Sequence, residues 1–399
     1  MVFPRTEEEI LDAMTIDREA VGLALSGGGF RAALFHIGSL IRLNELGLLS
    51  KLLQLVSVSG GSIAAAHLGL IWPKLRFEND VAVNLKETFV EPLRKFCAQN
   101  LEKKILYYAC TRPWRLRSPG NFLEQAYRSE FFGSQTLQDL PDVPEIAVTS
   151  TDLLSESSFL FSKAEARDHN SYVTIPRPRF LISECVAASS AFPPVLSPFR
   201  LHLKEGDIDS RPIIKTYSED FDFCALAIKT KRLVLADAGV IDNRGAEWLK
   251  KKCGTILISD AGAPFRHSVK WWHKTWLGLA IRAATIAAYQ GEEFHLTDLY
   301  HRMQEDSGYR YGIWRINNDL WPWPDVSKGP LSVTRDVIDR LAYMRTRLNA
   351  FSEKEQGELI NLGYLLADAA TCGREGRKMP WPDGWPIPEF ALSRASAVN

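Results

Sequence analysis

Two successive units of one kind open the chain, and they restrict it to few folds. Each is an apolar run of strand length, a turn of glycine and serine, and a helix. Ala20 to Leu25 reads as a buried strand, and Ser26-Gly27-Gly28-Gly29-Phe30-Arg31-Ala32 follows it. The first helix carries Leu34, Ile37 and Ile41 near helical spacing and stops around Gly47. The second strand is Leu52 to Val58, the second turn is Ser59-Gly60-Gly61, and the second helix opens on Ile63-Ala64-Ala65-Ala66. Such a β-α-β-α start implies a parallel sheet between helices, with ligand chemistry at the C-terminal strand ends.

Further along, Asp80 to Asn100 reads as helical. Pro144 to Thr151 is a strand leading into Asp152, and Phe159 to Ser162 forms a hairpin with it. Ile182 to Ser190 is a short helix of small residues, followed by Ala191-Phe192-Pro193-Pro194. Residues 198–230 are mixed and polar and read as an excursion from the core. Arg232 to Ala236 is a buried strand ending at Asp237-Ala238-Gly239-Val240-Ile241-Asp242-Asn243-Arg244-Gly245. A helix over Ala246 to Lys251 and a strand over Thr255 to Ser259 follow. After Pro264 the pattern is mainly helical. Val269, Trp272, Trp276 and Ala280 share one face, Val337, Leu341, Met344 and Leu348 another, and Ser352 with Glu355 forms a capping box for a third helix. Trp271, Trp272 and Trp276 read as core. The last twenty residues, with four prolines, read as a tail that wraps the surface or stays disordered. The expected fold is α/β: a mostly parallel central sheet flanked by helices, with a helical C-terminal extension. The expected division is an N-terminal segment over 1–19, a catalytic domain over 20–265, and an extension over 266–399 packed on the core, with a regulatory role left open.

Composition narrows the function. Lys plus Arg and Asp plus Glu number 48 each, so no net charge points to a nucleic-acid polymer. Six cysteines lie scattered without a C-x-x-C, which indicates a reducing compartment with neither a disulfide framework nor a zinc site. No apolar run reaches the roughly 18 residues of a membrane span, and the first twenty residues lack a signal-peptide core. The expectation is a cytoplasmic protein that visits a membrane only at its periphery and needs no cofactor or metal.

Three strand ends carry the polar, small-residue motifs. Ser59 stands at the apex of Ser57-Val58-Ser59-Gly60-Gly61, a strand–turn–helix. That geometry exposes a nucleophilic hydroxyl beside the N–H of Gly60, the elbow logic of serine hydrolases, with Ser57 in place of the usual first glycine. A plain Ser/Gly-rich turn fits the same residues. Gly27, Gly28 and Gly29 let a backbone approach a ligand closely, and the helix behind them aims N–H groups at an anion or oxyanion. Asp237 closes a third buried strand. Ends of parallel strands on one edge converge, so a nucleophile, a carboxylate and a donor loop can meet.

These residues resemble the patatin-like phospholipase family. Gly27-Gly28-Gly29-Phe30-Arg31-Ala32 matches its oxyanion loop, His36-Ile37-Gly38 the helix behind it, and Ser57-Val58-Ser59-Gly60-Gly61 its nucleophile motif. Ala187-Ala188-Ser189-Ser190-Ala191-Phe192-Pro193-Pro194 is similar to its small-residue helix and Pro-Pro segment, and Asp237-Ala238-Gly239-Val240-Ile241-Asp242-Asn243 to its aspartate motif, with Ala238 where glycine is usual. The five matches run in family order from about Val21 to Ser259. The resemblance implies a Ser59–Asp237 dyad without a catalytic histidine, an oxyanion hole from Gly27, Gly28, Gly29 and Gly60, and a phospholipid or lysophospholipid substrate. Arg31 either binds a lipid phosphate or bonds loop carbonyls, and the second is preferred. Some patatin-like bacterial effectors are switched on by a nucleotide second messenger, but no motif here assigns such a small-molecule activator.

Rival readings remain. A dinucleotide site wants an acid at the end of the second strand, where this chain has Ser57-Val58-Ser59. A P-loop lacks its Gly-Lys-Ser/Thr. An α/β-hydrolase triad of Ser59, Asp237 and His267 has the right chain order, though His267 follows no motif. A non-catalytic binding protein on the same fold is the last. His36 and His67 read as packed histidines, and Asp152 and Asp242-Asn243-Arg244 as turn chemistry. Lys103 to Arg117 combines Lys103, Lys104, Arg112, Arg115 and Arg117 with Tyr107, Tyr108 and Trp114, and contains no acid. That is the chemistry of a membrane-surface contact, and equally of a solvated loop with packed aromatics.

Overall fold

The computed structural model describes residues 17–111, 118–169, 173–193, 196–204, 230–249, 253–264, 275–305, 310–317, 330–372 and 380–392. Both opening units form as expected: β1 (Asp17–Leu25), α1 (Gly29–Glu45), β2 (Leu52–Val58) and α2 (Gly60–Ile71). A helical stretch from Lys86 runs into α3 (Glu91–Cys97), and α4 (Leu101–Thr111) and α5 (Pro119–Tyr127) follow. Next come β3 (Glu145–Asp152), β4 (Ser157–Phe161), β5 (Glu165–Asp168), β6 (Thr174–Pro176), α6 (Ile182–Ser189), β7 (Phe199–His202), β8 (Arg232–Asp237) and β9 (Cys253–Asp260). The helix expected from Ala246 is a single turn, Ala246–Leu249. The final described elements are α7 (Trp276–Glu305), β10 (Arg310–Arg315), α8 (Arg335–Ala342) and α9 (Glu353–Cys372).

Among the described residues the main sheet runs β10-β9-β1-β2-β3-β4-β5-β6. Its first five strands are parallel, and β4, β5 and β6 continue antiparallel. Residues of the central strands alternate between two apolar layers. Leu23, Leu25, Leu55, Val148 and Leu257 face the larger core with α1, α2 and α9. Ala24, Val56, Ala147, Ile256 and Ile258 face a smaller one closed by Ala246, Leu249 and Leu296. Burial on both faces explains why these strands read as continuous apolar runs.

Beyond residue 264 the chain is more than a helical addition. β10 pairs in parallel with β9 and extends the sheet. Helices α1 and α9 cross with their backbones touching. A Cβ at Gly38 would lie 1.8 Å from the Ile360 carbonyl oxygen, and one at Gly363 2.0 Å from that of Phe35. The capping box at Ser352 and Glu355 is present. The tail packs as far as it is described: Asn361 bonds the backbone of Ile387 and Phe390, and Ile387 and Leu392 are buried. Two expectations fail. Trp276 is 81% exposed, because α7 reaches the smaller core through Leu296 further along the helix. Trp271, Trp272 and Val269 lie outside the described residues. Helix α8 stops at Ala342, before Met344 and Leu348. The carbonyls of Ala342 and Met344, which a continuing helix would use, accept from Arg31 instead.

Candidate active site

Ser59 is the sharpest backbone feature of the site. It follows β2, caps α2, and holds φ 50°, ψ −115°. A non-glycine residue rarely adopts that conformation, and such strain clusters at functional positions. The turn is held from three sides. The Ser59 N–H donates to Ser189 Oγ at 2.7 Å, and Ser189 Oγ lies 2.9 Å from Ser62 Oγ. A Cβ at Gly60 would lie 2.1 Å from the Gly29 carbonyl oxygen, so only glycine fits. Ser57, in the position usually held by glycine, is accommodated: its hydroxyl donates to the Ala147 carbonyl across the sheet at 3.0 Å.

Asp237 arrives from the opposite direction. Strand β8 is antiparallel to β3, pairing Asp237 with Ser150 and Leu235 with Asp152. Strand β2 leaves the edge of β3 at Val58, opposite Thr149. The other edge of the β3 overhang is taken by β4. So β8 fills the column that β2 vacates, and the ends of β2 and β8 meet head-on. For Asp237 this end-to-end encounter replaces the expected convergence of parallel strand ends, whereas the parallel neighbours β1 and β2 bring the glycine loop and Ser59 together as expected. The Asp237 carboxylate accepts from the Gly239 N–H at 2.8 Å and lies near enough to the Ser59 hydroxyl for that hydroxyl to favour its ionised form. Its backbone is fixed by Ala191 and Thr151. Burial raises its pKa from 3.8 to about 6, against the lowering effect of the Ser59 hydroxyl and the Gly239 N–H.

The glycine loop completes the arrangement. Gly28 caps α1 with φ 137°, and Gly29 begins it with φ 60°. The N–H groups of Gly28, Gly29 and Gly60 stand at helix starts, where no intrahelical acceptor exists. The Gly27 N–H instead donates to the Asn243 carbonyl at 3.1 Å and ties the loop to the aspartate turn. Arg31 is fully buried. Its guanidinium donates to the carbonyls of Ala342 (2.5 Å), Met344 (3.1 Å) and Ala261 (2.5 Å), the loop-supporting arrangement.

The histidines near the site are packed groups. His36 bridges the Ser26 carbonyl at 2.9 Å and Ser259 Oγ at 2.8 Å, and burial lowers its pKa to about 4. His67 stacks on Phe89, and burial likewise lowers it to about 4. Among the described residues no histidine bonds Ser59 or Asp237, and His267 lies outside them. Asp152 pins its turn through the Leu154 N–H and Ser155 Oγ. Asp242 accepts from the Arg244 N–H. Arg244 also forms a buried pair with Asp260, which Arg315 shares.

The basic aromatic stretch divides. Lys103, Lys104, Tyr107 and Tyr108 lie on α4, while Arg112, Trp114, Arg115 and Arg117 lie outside the described residues. Lys104 pairs with Glu130 and the Tyr108 hydroxyl contacts Ser129, whereas Lys103 and Tyr107 face outward. No helix among the described residues is long and apolar enough to cross a membrane. Sequence reasoning missed Ser189 as a support of the nucleophile turn. It also missed the segment at 342–348, whose residues bear no motif.

A model of the patatin-like phospholipase family matches residues 23–249. The chain belongs to this family. The match takes in the glycine loop, the Ser59 turn and the Asp237 turn. Human GIVD cytosolic phospholipase A2 shares the fold at 15% identity and a TM-score of 0.50, covering 91% of this chain and 63% of its own. Its complex with methyl gamma-linolenyl fluorophosphonate gives 16%, 0.51, 88% and 58%. VipD from Legionella pneumophila aligns at 14% identity and a TM-score of 0.32, covering 82% and 66%. This patatin-like chain thus spans less than two thirds of the length of the human phospholipase. No curated protein matches it in sequence.

Proposed function

We propose that this patatin-like protein hydrolyses carboxylic esters of phospholipids or lysophospholipids through an acyl-enzyme on Ser59. The observation that carries the reading is the placing of a strained serine beside a buried carboxylate, Asp237, whose pKa is raised to about 6. Near neutral pH that carboxylate is mostly ionised and basic enough to take the Ser59 proton. Ser59 Oγ attacks the ester carbonyl, and the alkoxide of the tetrahedral intermediate lies against the N–H groups of Gly28, Gly29 and Gly60. Each such donor contributes about 3 kcal/mol to the transition state. Collapse returns the proton from Asp237 to the departing alcohol. Water then attacks the acyl-enzyme as Asp237 takes its proton, and collapse breaks the bond to Ser59 Oγ, returns that proton to it and releases the fatty acid. Phe192 and Val240, both exposed, flank the segments that hold Asp237 and offer apolar surface to an acyl chain. A panel of phospholipids, lysophospholipids and neutral esters, with wild type beside Ser59→Ala, tests the reading. Fatty acid release that persists in Ser59→Ala rejects it.

The outer face of α4 supports a lipid surface as the place of work. Lys103, Leu106, Tyr107 and Cys110 are all exposed at helical spacing, with Leu106 at 64% and Tyr107 at 62%. The N-terminus of α4 is tied to the Leu348 carbonyl, next to the glycine loop. Replacing Lys103, Leu106 and Tyr107 by polar uncharged residues lowers binding to anionic liposomes while sparing a soluble ester assay. Equal loss in both rejects the surface role.

A further inference from the structure

Residues 342–348 lie beyond the family match and are built into the site. The oxyanion-loop backbone is sandwiched. On one side Gly60 of the nucleophile turn touches Gly29. On the other, a Cβ at Gly29 would meet the carbonyl oxygens of Thr346 at 2.7 Å and Arg347 at 3.1 Å. The Phe30 N–H donates to that Arg347 carbonyl at 3.3 Å. The backbone of Arg347 is therefore one layer from the Ser59 turn. The segment is anchored at both ends, by Arg31 to Ala342 and Met344 and by the Leu101 N–H to Leu348.

Three arginines surround this layer, and two are committed within the protein. Arg31 is buried on three carbonyls. Arg345 grips both oxygens of Glu355 and the Ala350 carbonyl, and stacks 4.0 Å over the Phe351 ring. Arg347 differs. Its side chain is 71% exposed, and its ion pair with Glu102 spans 3.9 Å. An exposed pair at that distance contributes little and is readily exchanged. A phosphate offers a guanidinium two charge-assisted hydrogen bonds in fork geometry, a stronger partner. In a glycerophospholipid the phosphodiester sits a few bonds from the scissile ester.

We propose that Arg347 binds the phosphate of the substrate headgroup and sets the preference for phospholipids over neutral esters. This rests on the Ser59 reading of the site. The test uses the full chain, with Arg347→Gln and Arg347→Lys beside wild type. With a lysophospholipid below its micelle concentration, KM rises about tenfold in Arg347→Gln and less in Arg347→Lys, while kcat stays within about twofold. KM for a p-nitrophenyl ester of the same acyl chain does not change. An unchanged lysophospholipid KM, or an equal rise for both substrates, overturns the assignment.

A second measurement needs no lipid turnover. Glycerophosphocholine inhibits p-nitrophenyl ester hydrolysis by wild type, and about tenfold less well in Arg347→Gln. Inhibition by inorganic phosphate alone makes Arg347 a free-anion site and overturns the headgroup assignment. Ser59→Ala keeps the two failures apart: persistent ester hydrolysis there rejects the nucleophile, whatever Arg347 does. Matching thermal melts of the variants exclude a folding defect as the cause of any change.

Discussion

Asp237→Asn should remove activity and, at neutral pH, strengthen the fold. The carboxyl is buried against the Ser59 turn, and burial raises its pKa from 3.8 to about 6. Below pH 3.8 both the folded and the unfolded chain hold the proton, and the group costs nothing. Between 3.8 and about 6 the unfolded chain releases its proton while the folded chain keeps it, so stability falls as pH rises. Above about 6 the loss is complete, at about 3 kcal/mol. Asparagine reproduces the neutral acid at every pH, apart from a constant cost for its own amide hydrogens. Urea unfolding of wild type and variant from pH 4.5 to 8 should therefore give a stability difference that shifts toward the variant by most of that amount. Over the same interval wild-type kcat/KM should rise, half-maximal near pH 6 and about a tenth of its plateau at pH 5. Stability and activity then move in opposite directions because one ionisation drives both. A stability difference that stays flat with pH refutes the raised carboxyl, and with it the direct base.

Gly29→Val forces a branched side chain into φ 60° and against the Thr346 carbonyl, and should cost at least a hundredfold in turnover through loss of a donor. Circular dichroism must show a folded chain, and near-normal activity moves the oxyanion hole elsewhere. His67→Phe, His36→Gln and His267→Ala should all leave Ser59 open to labelling by an organophosphonate, detected by intact mass. A His267→Ala variant as inert as Ser59→Ala supports the α/β-hydrolase triad instead. Asp260→Asn should destabilise the fold by about 3–5 kcal/mol, because Arg244 and Arg315 lose the buried carboxylate they share. The two guanidiniums hold the Asp260 pKa below the usual carboxylate range. Its stabilisation is therefore present at neutral pH and lost in acid, and the gap in denaturant midpoint between wild type and variant should close as pH falls below that range.

Much of this molecule is local chemistry, and local chemistry is legible in a sequence. Apolar runs bounded by Gly and Ser mark β1, β2 and the turns after them, because short buried strands need continuous apolar residues and tight turns need small ones. The same logic picked out Ser59, the glycine loop and the Asp237 turn without knowledge of their neighbours. What could not be read are the features that depend on partners hundreds of residues away. The direction of β8 follows from the edge of β3 that β2 leaves open, so Asp237 meets Ser59 end to end. β10 joins the sheet because β9 presents an edge for it. Arg31 was ambiguous until the carbonyls of Ala342 and Met344 came within reach and ended α8 early. Ser189 stood in a small-residue motif that did not say what it touches, and Arg347 carries no motif at all: one supports the Ser59 turn and the other abuts Gly29 only once the chain is folded. A strand or a turn is specified by residues in sequence with one another, whereas a buried polar group must find its partner wherever the tertiary structure places one.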